Sequence, residues 1–218
     1  MNLLEFIRQE KFIVIARQIP EDRILHCAEA AVRAGVKLLE VTFDPSDPET
    51  LEKTPRMLNS LRSRFEGVLR LGAGTVLNTE AVRAACQAGA EYLLSPNTDE
   101  KVVALARELG MLPIPGAYTP CEIAHAWECG AGIVKIFPVL PGGHPYVKVV
   151  MSPLSHIPFM VTGGVTPETV ADMLSTGACA LGAGASIFRP ELVRDHRYKE
   201  IELLASAHLK VLAESKGE

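Results

Sequence analysis

Long apolar runs are missing from this chain. No stretch reaches the roughly 18 uninterrupted apolar residues of a transmembrane helix, so contact with a membrane is not expected. The N-terminus, Met1-Asn2-Leu3-Leu4-Glu5-Phe6-Ile7-Arg8, lacks the basic start and long apolar core of a signal peptide. Basic clusters are missing too. A net charge of -4 and a pI near 5.9 give no general attraction to nucleic acid. The five cysteines, Cys27, Cys86, Cys121, Cys129 and Cys179, form no C-x-x-C pair and no short Cys/His cluster. That scatter predicts reduced thiols and a cytoplasmic location rather than a disulfide framework. The histidines, among them His125, His144 and His208, lack ligand spacing, so no metal site is expected. The single tryptophan, Trp127, falls in a helical stretch and is expected in the core.

What is present is the composition of an ordinary globular protein: 48% hydrophobic and 22% charged residues over 218 positions. One domain spanning 1–218 is expected, with no linker. A phrase recurs along it. Gly35-Val36-Lys37-Leu38-Leu39-Glu40-Val41 is echoed by Gly89-Ala90-Glu91-Tyr92-Leu93-Leu94, by Gly130-Ala131-Gly132-Ile133-Val134 and by Gly177-Ala178-Cys179-Ala180-Leu181. Each glycine follows a helical pattern and suits the residue after a helix end, where φ is positive. Gly67 and Gly110 play the same part.

Short apolar strands are expected to begin near Phe12, Lys37, Leu69, Tyr92, Leu112, Ile133, Phe159 and Ala180. Their near-continuous hydrophobicity marks strands covered on both faces. Thr79, Asp99, Thr119 and Thr166 are the expected N-caps, with Pro167 at a first helical position. Leu3 to Gln9 reads as an extra helix capping the barrel floor, and Glu191 to Glu214 as one long closing helix. Eight strands alternating with helices, and no G-x-G-x-x-G turn after the first strand, predict an α/β fold: a single (β/α)8 TIM barrel with an N-terminal capping helix.

Active sites of such barrels lie at the C-terminal ends of the strands. Side chains alternate along a strand, so Ile13, Ile15 and Arg17 share a face, as do Leu38, Glu40 and Thr42. Ile133, Lys135 and Phe137 form a third such set, and Met160 and Thr162 a fourth. If these faces point inward, Arg17, Glu40, Thr75, Lys135 and Thr162 converge on one pocket. Lys135 stands out in an otherwise apolar strand. A desolvated lysine lowers its pKa, and a neutral amine in a dry pocket forms Schiff bases. The other reading of Glu40 and Lys135 is a buried ion pair bracing the barrel. Glycines supply a second constellation. Thr162-Gly163-Gly164-Val165 and Gly182-Ala183-Gly184 follow the seventh and eighth strands, where backbone N–H groups commonly hold phosphate. Pro141-Gly142-Gly143-His144 is expected to form a mobile loop over the site, and Tyr118 either to wall the pocket or to cap the core.

In order, Leu39-Glu40-Val41-Thr42, Gly72-Ala73-Gly74-Thr75-Val76-Leu77, Ser95-Pro96, Val134-Lys135-Ile136-Phe137-Pro138, Thr162-Gly163-Gly164-Val165 and Gly182-Ala183-Gly184 resemble the class I 2-keto-3-deoxy-6-phosphogluconate (KDPG) and 4-hydroxy-2-oxoglutarate (KHG) aldolases, from about Phe12 to Phe188. The resemblance implies a barrel that assembles as a homotrimer and uses neither metal nor cofactor. Its substrate is a small 2-keto acid, cleaved to pyruvate plus glyceraldehyde 3-phosphate or glyoxylate. By that resemblance Lys135 is the Schiff-base lysine and Glu40 the acid/base. Arg17 and Thr75 hold the carboxylate-bearing portion. Gly163, Gly164 and Gly184 lie near the phosphate, and Pro96, Phe137, Thr162 and Gly182 line the same substrate site. Two departures stand out: Asp44 occupies the place of an arginine that binds the carboxylate in some members, and the serine near the last glycine pair is shifted to Ser186. An aldolase specific for the phosphogalactonate epimer, another phosphate-binding barrel such as an epimerase or isomerase, and a non-catalytic sensor of phosphorylated sugar acids are the alternatives.

Overall fold

The structure, a computed structural model, describes residues 1–139 and 143–215. After a first helix α1 (Leu3–Glu10) come β1 (Phe12–Ala16), α2 (Ile24–Ala34), β2 (Leu38–Thr42), α3 (Thr50–Arg64), β3 (Arg70–Gly74), α4 (Thr79–Gln87), β4 (Tyr92–Leu94), α5 (Glu100–Glu108) and β5 (Leu112–Ile114). The second half runs β6 (Gly116–Ala117), α6 (Pro120–Glu128), β7 (Val134–Ile136), α7 (Gly143–Met151), β8 (Phe159–Thr162), α8 (Val170–Leu174), β9 (Ala180–Ala183), α9 (Pro190–Arg194) and α10 (Tyr198–Glu214). Every strand pair is parallel, in the order β5-β4-β3-β2-β1-β9-β8-β7-β6. The expected barrel is therefore present, with one refinement. Among the described residues there are nine strand segments, because the fifth strand is split at Pro115. Its first part pairs with β4 and its second with β7, so the broken strand bridges the two ends of the sheet. Proline has no N–H to continue the ladder, yet the Pro115 carbonyl still accepts from Lys135 N–H at 2.8 Å.

Alternation sorts the strand residues into two cores. Phe12, Val14, Leu39, Val41, Leu71, Ala73, Leu93, Val134, Ile136, Val161 and Leu181 face outward against the helices. Ile13, Leu38, Tyr92, Leu94, Ile114, Ile133, Met160 and Ala180 face inward and pack on Ile7 of α1, which plugs the floor. That helix is held by a capping box, in which Asn2 and Glu5 satisfy each other's backbone N–H groups. Tyr92, wholly buried, finds room because β3 carries glycine opposite it: a Cβ on Gly72 would overlap its ring.

Several local expectations shift. Gly35, Gly67, Gly89, Gly110, Gly130 and Gly177 do have positive φ. Asp99 and Thr119 cap their helices, but Asn78 takes the place of Thr79, its Oδ1 accepting from Ala81 N–H at 2.8 Å. Thr166 and Pro167 lie in a turn ahead of α8, and the N-cap position passes to Thr169. The long closing helix is two helices. The chain breaks between α9 and α10, where His196 has φ 56°. Trp127 is exposed on α6 rather than in the core. Of the Pro141-Gly142-Gly143-His144 stretch, Pro141 and Gly142 lie outside the described residues, whereas Gly143 and His144 open α7.

Gly72→Ala tests the notch beneath Tyr92. Overpacking there should destabilise the protein by about 1–3 kcal/mol, read as a lower urea midpoint with an unchanged slope.

Candidate active site

Lys135 in β7 and Glu40 in β2 project from opposite sides of the barrel into its interior, one layer above the Tyr92 level on the way to the C-terminal mouth. They are 8% and 2% exposed, respectively. Room for the carboxylate comes from a second glycine of β3: a Cβ on Gly74 would overlap Glu40. Thr42, next on the same face of β2, donates its hydroxyl to Glu40 Oε1 at 2.8 Å. Lys135 Nζ lies 4.5 Å from the centroid of the Phe137 ring, a cation–π contact.

Burial sets the electrostatics. Desolvation pushes the Glu40 carboxyl up from its ordinary value, against the opposing pull of Lys135, the Thr42 hydrogen bond and Arg17. Desolvation pulls the Lys135 ammonium down; Glu40 opposes that shift and Arg17 adds to it. The two groups interact across the lumen without a direct ion pair between them, so a bracing salt bridge is not what they form. Perturbed carboxylates and amines of this kind, buried together inside one barrel, are candidates for acid–base and imine chemistry.

Arg17 follows β1 with its side chain exposed, near enough to bear on Glu40, Lys135 and Asp44. Asp44 turns to its own loop, where its Oδ1 accepts from Ser46 N–H at 2.9 Å and from Ser46 Oγ at 2.7 Å. Those bonds hold its carboxyl below the ordinary value. A cleft of about 460 Å³ opens between the loops after β1 and β2, walled by Gln18, Thr42, Asp44 and Lys53, on the Glu40 side of the barrel; Lys135 is not in its wall.

Thr75 departs from the expected convergence. On β3 it is Gly72 and Gly74 that face inward, and Thr75 shares its parity with the outward Ala73. It lies just past the strand end, half-buried, with φ 55°. A β-branched residue seldom adopts that conformation, which stores on the order of 1–3 kcal/mol of strain and often accompanies functional sites. Pro96 lies half-buried past β4, its carbonyl pressed against Gly116. Thr162 is buried and its Oγ1 has no hydrogen-bond partner among the described residues; a Cβ on Gly182 would come within 2.8 Å of it.

The two glycine loops meet beside it. Gly163 and Gly164 have φ 101° and 70° in succession, and Gly184 passes so close to β1 that a Cβ would fall 2.9 Å from the Ile15 carbonyl. Ser186 links the loops, donating its Oγ–H to the Val165 carbonyl at 2.8 Å. Behind it the fully buried His208 of α10 places Nε2 at 3.0 Å from Ser186 Oγ and Nδ1 at 2.7 Å from the Leu204 carbonyl. Tyr118 stacks on Tyr146 at 4.5 Å between centroids, and Tyr146 donates to the Tyr118 carbonyl. Sequence reading put Thr42 on the Glu40 face without giving it a role, and gave none to Tyr92 or His208. The signal for the first two was the glycine at alternate positions of β3, which marks space to be filled by neighbouring strands. His208 had no comparable signal.

Fold and site together define a (β/α)8-barrel protein with a buried lysine and carboxylate inside the barrel. The chain belongs to the KDPG and KHG aldolase family, whose model matches residues 4–204. It is an aldolase, and hence a lyase, by that membership. It is 32% identical over 178 residues to the 2-dehydro-3-deoxy-6-phosphogalactonate aldolase of Escherichia coli K12, covering 81% of this chain and 84% of the relative. Identity with the 2-dehydro-3-deoxy-phosphogluconate aldolase of Haemophilus influenzae is 27% over 212 residues, 97% of each chain. A solved structure described as native KDPGal superposes with a TM-score of 0.85 at 29% identity, covering 95% of this chain and 96% of that one.

The charge pattern makes the lysine tunable. In Glu40→Gln, loss of the opposing charge should lower the Lys135 pKa further. Arg17→Gln should raise it. The pH dependence of Lys135 modification by an amine-reactive reagent reads both shifts, and equal profiles in all three proteins would refute the coupling.

Proposed function

We propose that this chain cleaves a 2-keto-3-deoxy-6-phospho sugar acid by a Schiff-base mechanism, and also accepts 4-hydroxy-2-oxoglutarate. The observation that carries the reading is the pairing of a buried lysine, its pKa lowered, with a buried carboxylate, its pKa raised. Lys135, as the neutral amine, attacks the C2 ketone of the substrate. The carbinolamine loses water and becomes an iminium ion, which serves as an electron sink. Glu40, through a water molecule, takes the proton of the C4 hydroxyl. The C3–C4 bond then breaks, releasing the aldehyde, glyceraldehyde 3-phosphate or glyoxylate. The electron pair of that bond stays on the enamine, which is protonated at C3, and hydrolysis releases pyruvate and the free amine. A carboxylate whose pKa is raised toward the working pH suits both directions of proton transfer.

Arg17 is the cation for the substrate carboxylate, in a bidentate pair, with Thr75 beside it. The local engagement of Asp44 with Ser46 supports this assignment, because it keeps the acid's charge compensated within its own turn. Phe137, Pro96 and Thr162 wall the pyruvyl portion. The phosphate lies on the backbone of Gly163, Gly164 and Gly184, where absent side chains allow close approach, with Gly182 lining the site beneath. Assembly as a homotrimer and a cytoplasmic location belong to the same proposal and rest on the family resemblance. No described helix is long and apolar enough to cross a membrane. The phosphogalactonate epimer is the second reading, favoured by the 32% identity to the Escherichia coli enzyme; cleavage rates on the two phosphorylated epimers decide between them.

Borohydride reduction in the presence of pyruvate should add a pyruvyl mass to Lys135, and Lys135→Ala should abolish it. Should no mass appear on Lys135, the covalent mechanism fails. Glu40→Gln should keep some trapping while turnover falls at least about 100-fold. Ser186→Ala loosens the link between the glycine loops. It should raise KM for the phosphorylated substrate about fivefold, the equivalent of one hydrogen bond, and leave KM for 4-hydroxy-2-oxoglutarate unchanged.

A further inference from the structure

Away from the barrel mouth, one group of three metal-ligating side chains gathers among the described residues: Glu100, His125 and Cys129. His125 and Cys129 are one turn apart at the end of α6, where residues four apart share a face. Glu100 opens the neighbouring helix α5. One ligand atom from each lies within 4.8 Å of both others. The individual separations are 3.6 Å for His125 Nε2 to Glu100 Oε1 and 3.6 Å for His125 Nε2 to Cys129 Sγ. Zinc bound tetrahedrally at about 2.0–2.3 Å from N, O and S ligands sets ligand-to-ligand edges of roughly 3.3–3.6 Å. Two of the three separations thus match that spacing, and the third, Glu100 to Cys129, lies within 4.8 Å.

We propose that Glu100, His125 and Cys129 form a zinc site on the outer wall of the barrel, with a fourth position open to water. Thiolate, imidazole and carboxylate together select zinc over magnesium or calcium, which prefer all-oxygen shells. The surrounding charge favours a dication. Glu100 and Glu128 bring negative charge close to Cys129. The same carboxylates attract zinc, which displaces the thiol proton on binding. Side-chain exposures of 73% for Glu100 and 48% for His125 leave the ion an open path. The site differs from the aldolase centre in place and in chemistry, since the imine mechanism uses no metal. Bound zinc ties the start of α5 to the end of α6 and thereby stabilises the folded state.

Spacing in the sequence did not reveal the group because one of its members, Glu100, comes from another helix. The test uses full-length protein stripped with chelator, then titrated with zinc against a chromophoric competitor. One zinc per chain is expected, half-saturating below about 10 μM. Cys129→Ser, His125→Ala and Glu100→Gln should each weaken binding at least tenfold. Cys121→Ser removes an exposed thiol outside the cluster and should change nothing. Zinc should also raise Tm and slow thiol labelling at Cys129, but not at Cys121, in the unsubstituted chain alone. Zinc binding that persists in Cys129→Ser, or its absence from the unsubstituted protein at about 100 μM zinc, overturns the proposal.

Discussion

Two ionisable side chains, Lys135 and Glu40, are kept nearly out of water in the upper part of a closed barrel, and the surrounding structure is shaped by that constraint. Burying a charge is expensive, with a penalty of several kcal/mol for each ion before compensation. The barrel distributes the penalty. Each group moderates the other's shift, Thr42 donates to the carboxylate, and the Phe137 ring lies under the ammonium. What remains uncompensated moves the lysine toward the amine and the carboxylate toward its protonated form.

Glycine makes the geometry feasible. A barrel interior is normally filled by layers of branched side chains, and the floor here follows that rule with Ile7, Ile13, Leu38, Ile114 and Ile133. Above it the inward positions of β3 and β9 are Gly72, Gly74 and Gly182, with Gly184 just past the strand end. Into the resulting space reach Tyr92, Glu40 and Thr162. The same strands thus provide a rigid apolar base and a carved polar mouth. Ser186 and His208 then brace the loops around that mouth from behind, joining the last helix to the two glycine turns.

Much of this was legible in the chain. The recurring helix, glycine and apolar strand identified the barrel, and strand starts came within a residue of those observed, as with Lys37 against Leu38 and Ile133 against Val134. Strict alternation also assigned Arg17, Glu40, Lys135 and Thr162 to one side. Thr75 was misplaced because its parity is that of Ala73, and on β3 it is the glycines, Gly72 and Gly74, that face the interior. The fifth strand was read as one piece because pairing partners are not visible along a sequence; only closure makes the two sides of Pro115 bond to different neighbours. The cap at Asn78 and the break at His196 were missed for a related reason, since several nearby residues could serve and packing selects among them.

The sequence by itself determined the order of elements, the faces of the strands and the identities of the lysine, carboxylate and glycine loops, since these are properties of residues close in the chain. Tertiary structure decided how dry each charge is, that Asp44 is held by its own turn within reach of Arg17, and that Glu100 meets His125 and Cys129. Desolvation and contacts between elements are set by what surrounds a group from every side, and in a closed barrel most of those surroundings come from distant parts of the chain.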